Sequence, residues 1–189
     1  MILNQQQEQV VDLGRRRLLR AALGCTAALI TSPALAVTTS REKDRQIFFY
    51  NTHTGETLRT VYRASGKYLP ESLKDVNRIL RDHYTDQVFK MDPALLDYLY
   101  HVRQRLGGRQ PFHIICGYRS PKTNAQMREK SSGVARKSLH VEGKAIDIRL
   151  PDVELAQLRR AAIALKQGGV GYYPGSDFVH LDTGKVRSW

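Results

Sequence analysis

Residues 117–147 read GYRSPKTNAQMREKSSGVARKSLHVEGKAID, and residues 177–182 read DFVHLD. The end of the first stretch decides the fold. KAIDIRL at 144–150 alternates as a strand, with Asp147 on one face beside Ala145 and Arg149, and Ile146 and Ile148 on the other. It follows a polar, aperiodic loop at 131–143 that contains two glycines. Long loops inside compact domains are often functional. DFVHL at 177–181 reads as a second short strand. His140 in the loop, Asp147 in the first strand and His180 in the second could each give one ligand to a zinc ion, which accepts imidazole nitrogen and carboxylate oxygen. Three protein ligands leave a fourth tetrahedral position open for water, the arrangement of a catalytic zinc site. The expected cofactor is one zinc ion per domain.

Working outward, the apolar run at 112–118 reads as a buried strand, and Ser120 and Pro121 open a helix through about Lys130. Upstream, 47–51 and 57–63 suggest a hairpin around Thr54 and Gly55. A helix is expected over 71–83, with Leu73, Val76, Ile79 and Leu80 at helical spacing. Asp92 and Pro93 look like a cap and first position of another helix, which Gly107 and Gly108 end. Downstream, a helix runs from Pro151 to about Gln167, and strands at 170–173 and 177–181 are joined by Pro174, Gly175 and Ser176. Strands and helices mix without a regular βαβ rhythm, so the expected class is α+β.

The chain has 189 residues, 41% of them hydrophobic, enough for one ordinary core. Its formal charge of +12 suits nucleic acid, an anionic membrane surface or an anionic wall polymer. The N-terminus narrows this. RRRLLR at 15–20, an apolar run at 21–30 and Ala34-Leu35-Ala36 form a charged region, a short apolar region and a small-x-small cleavage site. The apolar run is too short to span a bilayer, and the consecutive arginines resemble a twin-arginine export signal. Residues 1–36 are thus expected to be a signal, 37–45 a mobile leader and 46–189 the folded domain, with no stable membrane insertion after cleavage. Acylation at Cys25 is an alternative fate for the same segment. Removing residues 1–36 takes away four arginines, Glu8 and Asp12, so the remainder still carries +10. An exported basic domain without a nucleic-acid motif points away from nucleic acid and toward envelope material. The other cysteine, Cys116, lies in the apolar run and is expected to be a buried, inert thiol.

Groups beside the three ligands extend the chemistry. Asp177 lies three residues before His180 and could move a proton between a zinc-activated water and a leaving amine. Ideal alternation puts it out of register with His180 unless the strand starts after it. Asp182 shares a strand face with His180; it could orient the imidazole or be a surface carboxylate. Arg119, at the mouth of the 112–118 strand, could bind a substrate carboxylate or an oxyanion, or form an ordinary salt bridge. His53, His83, His101 and His113 show no partner spacing, and Tyr172 and Tyr173 are expected to pack.

GYRS at 117–120, S-x-H-x-x-G-x-A-x-D at 138–147, and GGVGYYP with F-V-H-x-D-T-G at 168–184 resemble the murein endopeptidase K group of M15-type zinc peptidases. N-x-H-T-G-E at 51–56 and R-x-W at 187–189 are similar too. The resemblance covers essentially the whole mature chain. It implies a Hedgehog/D-Ala-D-Ala peptidase fold, a small antiparallel sheet flanked by helices. It matches the zinc ligands to His140, Asp147 and His180, the acidic base to Asp177 and the substrate arginine to Arg119. Other M15 members often have Glu at the base position, and some close relatives lack an acid there. The implied partner is a peptidoglycan peptide stem, cleaved at cross-links involving meso-diaminopimelate, in the periplasm. A peptidoglycan carboxypeptidase and a non-catalytic zinc-containing wall-binding module are the alternatives.

Overall fold

The computed structural model describes residues 42–189 apart from Ser132. The segment read as a signal, Cys25 within it, and leader residues 37–41 lie outside the described residues. Among the described residues, eight strands form one sheet: β1 (Arg45–Asn51), β2 (Thr57–Ala64), β3 (Lys67–Tyr68), β4 (Phe112–Cys116), β5 (Ala145–Arg149), β6 (Gly169–Tyr173), β7 (Phe178–Asp182) and β8 (Arg187–Ser188). Four helices accompany it: α1 (Pro70–Ile79), α2 (Pro93–Leu106), α3 (Pro121–Lys130) and α4 (Leu155–Leu165). The class is α+β, as expected. The strand order is β3-β2-β1-β4-β5-β7-β6-β8. The sheet is largely antiparallel and larger than expected, and the β1–β4 and β6–β8 pairings are parallel. Strand β1 starts at Arg45, one residue before the expected domain boundary.

Alternation along the central strands separates two faces. Ile146, Ile148, Val179 and Leu181 are fully buried on the face that meets the helices. Helices α1, α2 and α4 pack there, α2 against α4 and β1, and α4 against β6 and β7. Leu95, Leu96, Leu99 and Val102 of α2 are wholly enclosed, each contributing about 1.5–3 kcal/mol by burial. Asp92 caps α2 by accepting from the Ala94 amide, and Gly107 ends it with a positive φ of 72°.

Two helix boundaries differ from the sequence reading, and the first bears on the site. Helix α1 stops at Ile79 rather than running to His83. The Leu80 carbonyl accepts from the Tyr118 amide at 2.7 Å. The buried Asp82 carboxylate accepts from the amides of Ser120 and Tyr84 and from the Thr123 hydroxyl. The chain after α1 therefore bonds to segment 118–123 instead of to its own helix. Helix α4 starts at Leu155 rather than Pro151, because Val153 closes a turn on Leu150 and the Glu154 carbonyl begins the helix.

Candidate metal centre

Register across three strands builds the floor of the site. Asp147 of β5 lies directly opposite His180 of β7 on one side and Cys116 of β4 on the other. Directly opposed side chains sit about 4.5–5.5 Å apart at Cβ. Strict alternation would put Cys116 with Ile114 on the helix-packed face. A bulge between Ile114 and Cys116 breaks that alternation and re-aims the thiol toward Asp147. The sequence reading of Cys116 as a buried thiol is thereby corrected: it is half-buried beside His140 and Asp147.

His140 comes over this row from the loop before β5. Its carbonyl accepts from the amides of Arg119 and Gly143, and its ring Nδ1 is 2.7 Å from the Gly117 carbonyl. Gly117 suits that place because a Cβ there would lie 2.4 Å from the Leu80 carbonyl oxygen. His140 Nε2 is 3.3 Å from Asp147 Oδ1 and 3.2 Å from His180 Nδ1, and His180 Nδ1 is 2.8 Å from the same carboxylate oxygen.

The proton inventory of this triangle calls for a cation. A carbonyl only accepts, so His140 Nδ1 carries the proton. His180 Nε2 lies 3.1 Å from Asp182 Oδ2 and donates to it. With those two N–H groups directed outward, His140 Nε2, His180 Nδ1 and Asp147 Oδ1 are left facing one another. Burial opposes charge on His140, yet Asp147 and then Cys116 beside it hold its pKa well above the usual imidazole value. Burial likewise raises the Asp147 pKa, but His140 and His180 outweigh it and hold the carboxyl far below the usual range. Both directions express a demand for positive charge at the centre. Ligands at about 2.0–2.1 Å from a tetrahedral zinc lie about 3.3 Å apart, so the observed edges fit such an ion with small adjustment.

Asp182 is the outward partner of His180. It is wholly buried and accepts from His180, from the Gly169 and Gly184 amides, and from both terminal nitrogens of Arg187. Burial works against ionisation, but these donors hold its carboxyl below the normal range. The role left open between orienting group and surface carboxylate is settled as the former.

A cavity of about 440 Å³ opens above the triangle, lined by Arg119, Lys137, Arg187 and an aromatic wall of Tyr173, Phe178 and Trp189 among others. Tyr173 stacks on Phe178, and the Trp189 indole donates to the Tyr173 hydroxyl at 2.8 Å. Trp189 fits there because Gly171, opposite His180, has no side chain; a Cβ would approach the indole to 2.8 Å. The sequence reading missed this wall, although R-x-W at 187–189 marked its position. Arg119 reaches the cavity with long contacts, 3.4 Å to Asn124 Oδ1, 3.4 Å to Cys116 Sγ and 3.9 Å to Asp147 Oδ2.

Asp177 is not brought into this group. Its backbone is left-handed, with φ of 54°, and its carboxylate pairs with Arg149 at 2.8 Å. It lines a different depression, with Arg149, Asp152 and Gln157. Strand β7 begins only after it, at Phe178. The four remaining histidines also lie elsewhere: His53 stacks on His83, and His101 bonds to Gln167.

Comparison with known proteins places the chain in a family. Residues 39–189 match the M15 peptidase family model described as peptidoglycan L,D-endopeptidase MepK. Peptidoglycan L,D-endopeptidase MepK of Escherichia coli (strain K12) is 41% identical over 181 residues, covering 94% of this chain and 98% of that protein. The probable peptidoglycan L,D-endopeptidase MepK of Haemophilus influenzae (strain ATCC 51907 / DSM 11121 / KW20 / Rd) is also 41% identical over 181 residues, covering 95% and 97%. With a match across the whole described domain, this chain belongs to the MepK family of M15 peptidases.

Proposed function

We propose that this protein is a zinc-dependent peptidoglycan endopeptidase that hydrolyses peptide cross-links, with bonds involving meso-diaminopimelate as its targets. One observation carries the reading. Three potential donor atoms, His140 Nε2, Asp147 Oδ1 and His180 Nδ1, converge to within 3.3 Å of one another at the floor of an open basic cavity. Family membership names the substrate class: the relatives are peptidoglycan L,D-endopeptidases. The converging donor set separates this reading from a module whose histidines serve only as packing.

His140, Asp147 and His180 would hold the ion. When bound, zinc supplies Lewis acidity toward a carbonyl oxygen and lowers the pKa of water to about 7. Gly117 and Asp182 fix the two imidazoles so that their lone pairs face inward. Arg119 offers a guanidinium to a substrate carboxylate or to the developing oxyanion. Lys137 and Arg187 make the rim basic, which suits stems that carry carboxylates. The aromatic wall excludes water on one side and gives the apolar part of a stem a surface to lie against. Asp177, paired with Arg149, is not assigned the base role.

We assign residues 1–36 to an export signal of the twin-arginine type and 46–189 to the peptidase domain. The site of action is then the periplasm, where a peptidoglycan substrate lies. No helix among the described residues is long and apolar enough to cross a membrane.

The test is digestion of purified cross-linked peptidoglycan, with and without a zinc chelator, followed by chromatography and mass spectrometry of the released muropeptides. Chelator-sensitive loss of cross-linked dimers is expected, and the dimer consumed names the bond. Shortened monomer stems would instead show a carboxypeptidase. Wall binding without any cleavage would refute the enzymatic reading.

A further inference from the structure

The row across the sheet holds more ligands than the proposed zinc triad uses. Cys116 Sγ, His140 and Asp147 each present a ligand atom, and these three atoms lie within 4.8 Å of one another. Cys116 and His180 flank Asp147 from opposite strands. His140 and Asp147 therefore form a shared edge, with an imidazole beyond it on one side and a thiol beyond it on the other. We propose a second metal position on this edge, completed by Cys116 in place of His180, that takes soft, sulfur-seeking cations. The inference uses the proposed zinc triad only as its reference point.

Three features support it. First, the bulge in β4 turns Cys116 out of the helix-packed core and toward Asp147. An inert structural thiol needs no such device, since the regular strand would have buried it beside Ile114. Second, the donor types suit such a cation. Thiolate selects soft metals, whereas an imidazole and carboxylate set suits harder or borderline ones. Third, the separations are close to those of a filled site. A cation about 2.3 Å from sulfur and about 2.0–2.1 Å from nitrogen sets a sulfur–nitrogen distance of about 3.6 Å. A contraction of roughly an ångström closes the group around an ion. Arg119 Nη2 lies 3.4 Å from Sγ, and its other contacts are long. The guanidinium can therefore swing toward the cavity as the cation enters.

Binding forms a metal–sulfur bond and releases the thiol proton to solvent, with no change of oxidation state. An ion drawn to the thiol side leaves His180 outside its coordination, so it occupies the shared edge without the geometry of the zinc triad. Soft metals would then act as occupants that exclude zinc.

The experiment titrates metal-free full-length protein with Cd2+ and follows sulfur-to-metal charge-transfer absorption in the near ultraviolet. Zinc stoichiometry is measured in parallel for the wild type, Cys116→Ser, Cys116→Ala and His180→Ala. Cys25 is present in all four, so the difference isolates Cys116. The expected result is a thiolate band in the wild type and in His180→Ala that exceeds the band of either Cys116 variant by one thiolate per chain. Both Cys116 variants are expected to retain one zinc. Equal bands with and without Cys116, or no band in the wild type, overturn the proposal. Loss of zinc from both Cys116 variants, with their circular dichroism unchanged, also overturns it by making the two positions one. None of these readouts depends on cleavage of the wall, so failure here and failure of the endopeptidase reading are distinguishable.

Discussion

Replacing Asp182 by Asn tests how the site is held together. The side chain keeps its shape and loses one acceptor. Oδ1 accepts from the Gly169 and Gly184 amides and from Arg187 Nη1, at 3.0, 2.8 and 3.1 Å. Three donors at that position require the Asn oxygen to stay there. The amide NH2 then lands where Oδ2 was, facing His180 Nε2 at 3.1 Å and Arg187 Nη2 at 2.7 Å. A donor against a donor is relieved when His180 moves its proton from Nε2 to Nδ1. That proton then occupies the direction of the metal. Loss of such an outer hydrogen bond costs about 10–100-fold in metal affinity, or about 1.4–2.8 kcal/mol. The assay is zinc competition against a chromophoric chelator at neutral pH, with melting curves of the metal-free protein as the control for folding. Arg187→Ala leaves Asp182 a carboxylate and His180 its tautomer, so its zinc affinity is expected to fall less. An unchanged affinity in Asp182→Asn, or a larger loss in Arg187→Ala, would refute the tautomer argument.

Other consequences are tested by direct substitution. His140→Ala and His180→Ala are each expected to abolish tight zinc binding while leaving a folded domain; metal analysis showing wild-type zinc content would remove that residue from the ligand set. Asp177→Asn is expected to keep zinc and to change turnover less than about tenfold, because its carboxylate serves Arg149; a drop of about 10²–10⁴ would restore it as the acid–base group. Arg119→Ala is expected to retain zinc and lower kcat by about 10²–10³, the usual loss for an oxyanion donor; steady-state kinetics on isolated muropeptide dimers decide it. Asp82 governs stability in acid. Burial would raise its pKa, but hydrogen bonds from Ser120, Thr123 and Tyr84 outweigh that and bring it from 3.8 to about 2. Because the folded pKa is the lower one, its contribution is complete above the unfolded value and is lost as pH falls toward the folded value. The shift corresponds to about 2–3 kcal/mol. Denaturant melts of Asp82→Asn should show lower stability near neutral pH and a flatter decline on acidification.

The placement of Asp147 was legible because strand alternation is a property of the local chain. KAIDIRL puts Asp147 on one face and two isoleucines on the other in any sheet it joins, and the structure keeps that division. Caps and breakers were legible for the same reason: Asp92, Ser120 and Gly107 act on amides or dihedrals within a few residues of themselves. The end of α1 was less so, because Leu80 and Asp82 are bonded by a segment roughly forty residues away. The two-residue strands β3 and β8 carry too few residues for any period and exist because a partner strand is there.

What only the tertiary structure decided is which groups share the site. Sequence spacing offered Asp177 and Asp182 equally, one before and one after His180. A left-handed residue and the Arg149 pair take Asp177 away, while alternation along β7 and the Gly169 and Gly184 amides hold Asp182 against the imidazole. Cys116 was misplaced because a bulge shifts a side chain from one face to the other without leaving a mark in local hydropathy. The sequence by itself determined the α+β class and the central strands, which depend on short-range periodicity, and it named His140, Asp147 and His180 as candidate ligands. Strand order, register and the hydrogen-bond partners of buried polar groups depend on contacts between distant residues, and those exist only once the sheet has closed.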